Sequence, residues 1–269
     1  MAINDRVFAG SIPEFYERYL VPLIFEPYAL DLAQRLEKGG AECVLEIAAG
    51  TGVVTRALAA RLGPNARITA TDLSEPMLNH AKTKLSRDAR VCWQQADAQA
   101  LPFEDRSFDV VVCQFGAMFF PDKVRAFKEA RRVLKPGGRY YASVWGKISD
   151  NEFADVVTEM LAEMFPDDPP RFLARTPHGH YDVDRLSAEL KAAGFTEVSA
   201  EGVDARSMAP SPREPAIAYV EGTLLRNEIE ARDPARLLEA TSRATDAIAR
   251  RFGSGAVDGL IRAYVLTAQ

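Results

Sequence analysis

Three carboxylates stand at or near the ends of predicted strands, and their type and spacing point to ligand chemistry. Glu46 lies in the apolar run 44–47, directly before a glycine-containing turn at residues 48–52. Asp72 ends the next strand-like run, and Asp97 follows the one after that. The carboxyl ends of parallel strands meet along one edge of an open α/β sheet, where such sheets bind their ligands. We therefore expect the three acids to line one crevice.

The glycine turn predicts a nucleotide-type ligand. Gly50 and Gly52 let a ligand approach the backbone closely, and the helix that follows offers unpaired N–H groups. The third glycine of the dinucleotide fingerprint is absent, because residues 53–55 are Val-Val-Thr. A phosphate-binding loop is excluded because no Gly-Lys-Ser/Thr follows. The turn by itself leaves any other adenosine-containing cofactor open.

The acids narrow this choice. Glu46 would face a pyrophosphate with the wrong sign of charge, whereas it suits a cofactor with a cationic amino acid head. Asp72 is placed to accept hydrogen bonds from both hydroxyls of a ribose, and Asp97 from an adenine amino group. Each acid alone is more typical of a turn or a helix cap, but together they favour a ligand site.

Strands and helices alternate around these residues at a spacing that predicts βαβ units and a parallel sheet. Predicted strands cover residues 44–47, 67–71, 91–94, 108–113, 139–145, 196–203 and 260–267. Predicted helices cover residues 53–62, 75–85, 123–134, 153–161, 183–193 and, with breaks, 213–251. Ahead of the first strand, Pro22 is expected to kink or break a helical stripe over residues 11–25, and Pro27 to open a second helix.

Several motifs in this region carry a family resemblance. They are Val44-Leu45-Glu46-Ile47-Ala48-Ala49-Gly50-Thr51-Gly52, Ala70-Thr71-Asp72-Leu73-Ser74-Glu75-Pro76-Met77-Leu78, Ala96-Asp97-Ala98, Leu101-Pro102-Phe103 before Ser107-Phe108-Asp109-Val110-Val111, and Arg132-Val133-Leu134-Lys135-Pro136-Gly137-Gly138. Through them, residues 43–145 resemble the catalytic domain of class I S-adenosylmethionine-dependent methyltransferases. The likeness is greatest to the branch of the ubiquinone and menaquinone biosynthesis C-methyltransferases (methyltransferase type 11 domain). One departure is Ala48, which stands where the family has the first glycine of its turn.

The resemblance implies a fold and a domain organisation. The fold is α/β, a Rossmann-like seven-stranded, mostly parallel sheet with its last strand antiparallel, helices on both faces, and helical cap inserts. Residues 1–40 would be N-terminal helices covering the site, and residues 41–146 the S-adenosylmethionine-binding core. The helical cap inserts would be residues 147–181 and 211–258. The remaining core helix and strands would be residues 182–210 and 259–269.

The resemblance also implies which residues bind S-adenosylmethionine. Those of the turn would contact the methionine part, Asp72 would hold the ribose, and residues near Asp97 and Met77 would flank the adenine. Two N-terminal tyrosines would reach over the site, and two residues past the fourth strand would lie beside the cofactor where the substrate arrives. The full implied set is Tyr16, Tyr19, Glu46, Ala48, Gly50, Thr51, Gly52, Asp72, Leu73, Met77, Asp97, Ala98, Gln114 and Phe115.

The acceptor side of the site is less determined by the sequence. Residues 115–120 place four large apolar side chains in a strand-end loop, where polar residues are the norm, and this predicts an apolar pocket that includes Phe115, Met118 and Phe119. Core packing is the competing interpretation for part of the run. Methyl transfer is an in-line displacement and needs a general base only for some nucleophiles. His178 and His180 are the candidate catalytic residues, with solvent-exposed turn histidines as the alternative.

Composition limits the partners. A net charge of −5 and the lack of a dense basic block argue against nucleic acid. The predicted apolar pocket under a helical cap favours a small or medium organic substrate. Three scattered cysteines fit no metal motif; we expect no metal, buried thiols and a reducing, cytoplasmic compartment. Neither a secretory leader nor a membrane span is expected. Oligomeric state stays open, and two alternatives remain: a non-catalytic cofactor-binding partner or sensor protein, and a nicotinamide-dependent oxidoreductase.

Overall fold

The computed structural model describes residues 12–269, so residues 1–11 of the predicted N-terminal region lie outside the described part. By its internal contacts the chain divides into two compact units. The first, which we name the helical unit, includes residues 145–181 and 204–263 together with the described N-terminal residues 12–25. The second, the sheet unit, consists of residues 26–144, 182–203 and 264–269.

Strands and helices follow one another along the chain as follows. The strands are β1 (Cys43–Ile47), β2 (Arg67–Asp72), β3 (Val91–Gln95), β4 (Phe108–Gln114), β5 (Leu134–Trp145), β6 (Val198–Ala209) and β7 (Val257–Ala268). The α-helices are α1 (Ile12–Phe15), α2 (Glu26–Lys38), α3 (Val53–Arg61), α4 (Glu75–Lys84), α5 (Lys123–Val133), α6 (Glu152–Met164), α7 (Phe172–Arg175), α8 (Val183–Ala192), α9 (Arg213–Glu221), α10 (Leu225–Arg232) and α11 (Leu237–Phe252). A π-helix (Tyr16–Phe25) and four short 3₁₀ turns complete the elements of residues 12–269.

The strands form one seven-stranded sheet in the order β3-β2-β1-β4-β5-β7-β6. The pairs β1–β2, β2–β3, β1–β4 and β4–β5 are parallel. β7 is antiparallel to β6, since Glu197 and Gln269 exchange both of their backbone hydrogen bonds, at 3.2 and 2.9 Å. The predicted sheet, with its antiparallel last strand, is confirmed.

The core of the sheet unit follows from the apolar runs of its central strands. β1 and β4 are buried along almost their whole length, as expected of strands covered on both faces. α2 and α3 pack against each other over this sheet, and their buried positions, such as Leu32 and Leu58, join one hydrophobic cluster with Val44 and Val112. This packing holds the carboxyl ends of β1, β2 and β4 in fixed positions.

The start of β5 differs from the prediction. The strand was expected from Arg139, after a turn at residues 135–138, but strand geometry begins at Leu134, which pairs with Phe108. Regular pairing then resumes only at Arg139 with Val110, so residues 135–138 form an irregularity within the strand. Gly137 adopts a left-handed φ of 79° there.

The first helix region also differs from the prediction. Pro22 was expected to kink or break a helix over residues 11–25, but the segment Tyr16–Phe25 winds as a π-helix that includes Pro22. Proline has no N–H to donate, and its ring clashes with the carbonyl four residues earlier in an α-helix. The wider π winding accommodates the residue without ending the helix.

The helical unit has its own core, in which α11 packs on α6 and α9. Phe153 of α6 and Phe252 of α11 meet edge to face, with ring centroids 4.9 Å apart. A Cβ on Gly259 of β7 would lie 3.0 Å from the Phe153 ring, so the strand approaches this aromatic pair closely. Cross-strand ion pairs, Arg262 with Asp204 and Arg206 with Asp258, join β7 to β6.

Candidate active site

The turn between β1 and α3 has the backbone of a ligand-binding loop. Gly50 and Gly52 adopt left-handed φ values of 55° and 81°, and Ala48 does so at 58° despite its side chain. A non-glycine residue in this region costs about 1 kcal/mol. The conformation is held by two backbone hydrogen bonds, from the Ala49 N–H to the Thr71 carbonyl (2.9 Å) and from the Gly52 N–H to the Ala49 carbonyl (2.8 Å).

Asp72 fastens this turn to the end of β2. Its Oδ2 accepts from the Gly50 N–H at 2.8 Å, and its Oδ1 accepts from the Ser74 N–H at 2.7 Å. Burial raises the pKa of this carboxyl, while the backbone N–H groups at Ser74, Gly50 and Leu73 act in the opposite direction. Each oxygen still has a lone pair to offer a hydroxyl group. The Ser74 side chain, at the N-cap of α4, makes no capping hydrogen bond.

Glu46 lies beneath the turn and is almost fully buried, with 2% of its surface exposed. Its Oε2 accepts from the Thr55 hydroxyl at 2.5 Å, which ties β1 to α3. The pKa of Glu46 is raised to about 8; burial is the largest cause, and the Asp72 carboxylate acts in the same direction, against the Thr55 hydrogen bond and Arg56. In the absence of a ligand the group is therefore largely protonated at neutral pH.

The candidates for the adenine side occupy the ends of β2 and β3. Leu73 is exposed (52%), and Met77 of α4 is buried, with its Cε 3.9 Å from the position of a Cβ on Gly50. Asp97 is exposed beyond the end of β3, and its Oδ1 accepts from the Gln99 N–H at 2.9 Å. Ala98 is buried beside it. This edge thus offers an exposed apolar side chain and an accessible carboxylate.

The loop after β4 contains the residues predicted for the acceptor side. Phe115 follows Gln114, adopts a left-handed φ of 51°, and meets the Tyr28 ring edge to face at 5.4 Å. Gln114, Phe115 and Met118 are buried, whereas Phe119 is half-buried. The two competing interpretations of residues 115–120, an apolar pocket and core packing, therefore apply to different positions. Met118 packs in the core, and Phe119 retains accessible surface.

Four other predicted site residues belong to the helical unit. Tyr16 and Tyr19 of the π-helix are half-buried, and the Tyr16 ring stacks on Phe25 at 5.0 Å. His180 is half-buried, but His178 is buried (5%), so the solvent-exposed alternative is wrong for His178.

His178 has a defined protonation state. Its Nδ1 lies 3.0 Å from the Gly146 carbonyl oxygen, which can only accept, so Nδ1 carries the proton and Nε2 keeps a lone pair. Burial lowers its pKa to about 4, against the Gly146 hydrogen bond. The ring packs on Trp145 with centroids 5.8 Å apart. His178 is thus a neutral imidazole with an acceptor nitrogen.

The cysteines correct one further expectation. All three were predicted to be buried, yet Cys43 is half-buried and Cys92 is exposed. Cys92 lies on β3, the edge strand of the sheet, where alternate side chains face outward. Cys113 is buried, and burial raises its pKa to about 12 while the Tyr140 hydroxyl hydrogen-bonds it.

Three residues that shape the site were missed. Thr55 holds Glu46, Thr71 donates its hydroxyl to the Glu46 carbonyl oxygen at 2.8 Å, and Gly116 lies against Ala48. The two threonines could have been noticed, since each is a polar residue in a strand or helix segment that was predicted to be buried. Nothing near Gly116 in the sequence indicates its role, because the residue it contacts, Ala48, is 68 positions away in the chain.

Comparison with known proteins agrees with this geometry. A family model described as a methyltransferase domain matches residues 44–138. The chain is 35% identical over 179 residues to the ubiquinone/menaquinone biosynthesis C-methyltransferase UbiE of Burkholderia mallei, spanning 63% of this chain and 73% of that one. It is 33% identical over 168 residues to the UbiE protein of Idiomarina loihiensis, spanning 58% of this chain and 66% of that one. An S-adenosylmethionine-dependent methyltransferase from Aquifex aeolicus shares the fold, with a TM-score of 0.52 at 20% identity over 72% and 90% of the two chains.

The chain therefore belongs to the class I S-adenosylmethionine-dependent methyltransferases. Membership confirms the predicted enzyme class and its cofactor, S-adenosylmethionine, and it decides against the nicotinamide-dependent and non-catalytic alternatives. No helix among residues 12–269 combines the length and apolar character needed to cross a membrane.

Proposed function

We propose that this enzyme transfers a methyl group from S-adenosylmethionine to a small or medium, apolar or aromatic organic acceptor by in-line displacement. The cofactor supplies an electrophilic methyl group on a sulfonium. The protein's part in such a reaction is to align the nucleophile with that methyl group and to exclude water.

The residues of the β1–α3 turn fit the cofactor. Among residues 12–269, the buried Thr51 Oγ1 has no hydrogen-bond partner, which leaves a polar atom in the turn for a ligand to satisfy. An added Cβ on Gly50 would meet only Met77 Cε, at 3.9 Å, so the backbone there is open to close approach. Glu46, Ala48 and residues 50–52 would hold the methionine part, and a cationic head near Glu46 would favour its ionised form.

The observation that carries the proposal is the position of Asp72. Its carboxylate is fixed by the Gly50 and Ser74 N–H groups at the end of β2, beside the turn, and keeps acceptor capacity on both oxygens. We assign it to the two ribose hydroxyls. Leu73 and Met77 would cover the adenine ring, with Asp97 and Ala98 along its edge and Gln114 and Phe115 beside the reacting end.

We place the acceptor side at the loop after β4. Phe115 and Phe119 would give an apolar wall to the acceptor, while Met118, which is buried at 1% exposure, supports it from below. His178, whose Nε2 bears a lone pair, stays a prediction as the catalytic residue. Tyr16, Tyr19, His180 and the cap formed by the helical inserts stay predictions.

An activity screen tests the proposal directly. Quinones, phenols, small acids and amines would be incubated with the enzyme and S-adenosylmethionine, with release of S-adenosylhomocysteine as the readout. Turnover with an aromatic or apolar acceptor is expected. Turnover confined to charged, non-aromatic acids or amines would contradict the proposed acceptor class. A cytoplasmic location and the absence of nucleic acid partners stay predictions from composition.

A further inference from the structure

The alanine that departs from the family's glycine turn has a specific neighbour. Ala48 lies at the end of β1, and Gly116 lies in the loop after β4, the strand paired with β1. A Cβ built on Gly116 would overlap the Ala48 methyl group, which is its nearest neighbour, and would come within 2.8 Å of Cys113 Sγ. Real Cβ atoms essentially never lie this close to another carbon, so the space beside Gly116 is already filled by Ala48.

Strained backbone lies at Ala48 and directly before Gly116, and hydrogen bonds anchor the loop after β4. Ala48 has a φ of 58°, and Phe115, directly before Gly116, has a φ of 51°. The Phe115 N–H donates to the Ser143 carbonyl at 2.9 Å, and the Phe119 N–H donates to the Gly116 carbonyl at 2.9 Å. Left-handed backbone at non-glycine residues persists only where the surroundings determine it, and such residues cluster at functional sites.

We propose that Ala48 and Gly116 are a size-matched pair of positioning residues. The methyl group of Ala48 fills the place left by the missing side chain at 116, and this contact sets the distance between the cofactor turn and the loop that carries Gln114 and Phe115. A turn with alanine at 48 therefore requires glycine at 116. The inference rests on the proposed assignment of the turn to the cofactor.

The pair is tested by a double-mutant cycle read by binding of S-adenosylhomocysteine. Gly116→Ala should weaken binding about tenfold or more, because the new methyl group forces the two loops apart. Ala48→Gly should weaken binding a few-fold, because it leaves a methyl-sized gap at the contact. The double variant removes the overlap with the Ala48 methyl group and keeps the 2.8 Å contact with Cys113 Sγ, so it should bind more tightly than Gly116→Ala.

Two controls separate this contact from its surroundings. Cys113→Ala combined with Gly116→Ala relieves only the sulfur contact, so it should bind as weakly as Gly116→Ala. Gly63→Ala adds a methyl group where nothing lies within 4 Å, and it should bind like the unsubstituted enzyme. Rescue by Cys113→Ala but not by Ala48→Gly would overturn the proposal, as would wild-type affinity in Gly116→Ala.

Thermal unfolding of the same variants, measured without ligand, shows whether each of them folds. If Gly116→Ala does not fold, the triple variant with Ala48→Gly and Cys113→Ala, which removes both overlaps, should fold again, whereas Gly116→Ala with Cys113→Ala alone should not. Failure of the triple variant to fold would overturn the proposal. If the unsubstituted enzyme binds no S-adenosylhomocysteine, the proposed function fails. The unfolding cycle would then still show whether positions 48 and 116 are coupled.

Discussion

Glu46 is a buried acid whose ionisation opposes folding. Its pKa is about 8 in the folded state and about 4.5 in the unfolded chain. Because its pKa is raised, Glu46 binds its proton more tightly in the folded state than in the unfolded chain. Its contribution to the free energy of unfolding is therefore full below pH 4.5 and is lost as the pH rises through 8. The Thr55 hydrogen bond and the charge of Arg56 act against this rise in the pKa of Glu46.

We predict that the free energy of unfolding of the ligand-free protein falls by about 2 kcal/mol between pH 6 and pH 8 because of Glu46. Urea unfolding at a series of pH values measures this. Glu46→Gln cannot ionise and should flatten the dependence, while Glu42→Gln, an exposed acid one residue before β1, should leave it in place. An unchanged slope in Glu46→Gln would show that another group is responsible.

His178 should have the opposite dependence. Its pKa is lowered from 6.5 to about 4 by burial, so the folded state binds the proton less tightly than the unfolded chain. The contribution of His178 to the free energy of unfolding is then present above pH 6.5. It is lost as the pH falls towards 4, by about 3 kcal/mol in all. His178→Asn retains a donor for the Gly146 carbonyl and removes the titrating ring.

Urea unfolding between pH 7 and pH 4 should therefore show a shallower loss in His178→Asn than in the unsubstituted protein. His80→Asn, at a half-buried position of α4, is the matched control and should keep the full acid dependence. If His178 also accepts a proton from the substrate, His178→Asn should lower kcat more than it changes KM for S-adenosylmethionine.

Residue chemistry was predictable from the sequence where it depends on local order along the chain. The placement of Glu46, Asp72 and the glycine turn follows from strand–turn–helix spacing, and the structure brings all three together. The buried state of His178 was not predictable, because it depends on Trp145 and Gly146, more than thirty positions earlier. The same holds for the Ala48–Gly116 contact, which joins two loops through a strand pairing.

At the scale of elements, α3 depends on the glycine at its start. Gly52 is the N-cap of α3, with a φ of 81°, and an added Cβ would lie 3.0 Å from the Trp93 ring of β3 and 3.1 Å from the Ala81 Cβ of α4. The absence of a side chain at Gly52 therefore lets α3, α4 and β3 meet closely. This glycine serves both turn geometry and helix packing.

Gly52→Ala should destabilise the protein by about 2 kcal/mol, since it adds backbone strain and overpacks the contact with Trp93. Chemical unfolding gives this value, and Gly63→Ala, which meets no neighbour, controls for the general effect of replacing glycine. A loss below about 0.5 kcal/mol in Gly52→Ala would mean that α3 can shift away from β3 freely.

The helices and strands were predictable from the sequence where their apolar residues recur at a regular spacing. β1, β2, β4, α3 and α5 lie within a few residues of their predicted bounds, because continuous apolar runs and glycine or proline stops define them. The π-helix at Pro22 and the irregular start of β5 were not predictable, since both depend on how neighbouring backbone compensates for a local defect. Strands β6 and β7 are longer than predicted because cross-strand pairing extends them through polar positions.

At the scale of the whole molecule, the family model matches the residues proposed to bind the cofactor but not those of the helical unit. The cofactor side lies in the sheet unit, within the stretch that the methyltransferase family model matches, residues 44–138. The helical unit lies entirely outside that stretch, so its chemistry has to be read from contacts such as that of His178. Family membership accordingly fixes the methyl donor, while the acceptor is a proposal.

The central claim is that Asp72 and the β1–α3 turn form the S-adenosylmethionine site, and calorimetric titration with S-adenosylhomocysteine tests it most directly. We predict binding to the unsubstituted enzyme, no binding of NAD, and a loss of at least about thirtyfold in Asp72→Ala, which removes the assigned partner of both ribose hydroxyls. Asp105→Ala, an exposed acid in the loop before β4, should bind normally. Equal affinity in folded Asp72→Ala, or binding of NAD alone, would contradict the claim.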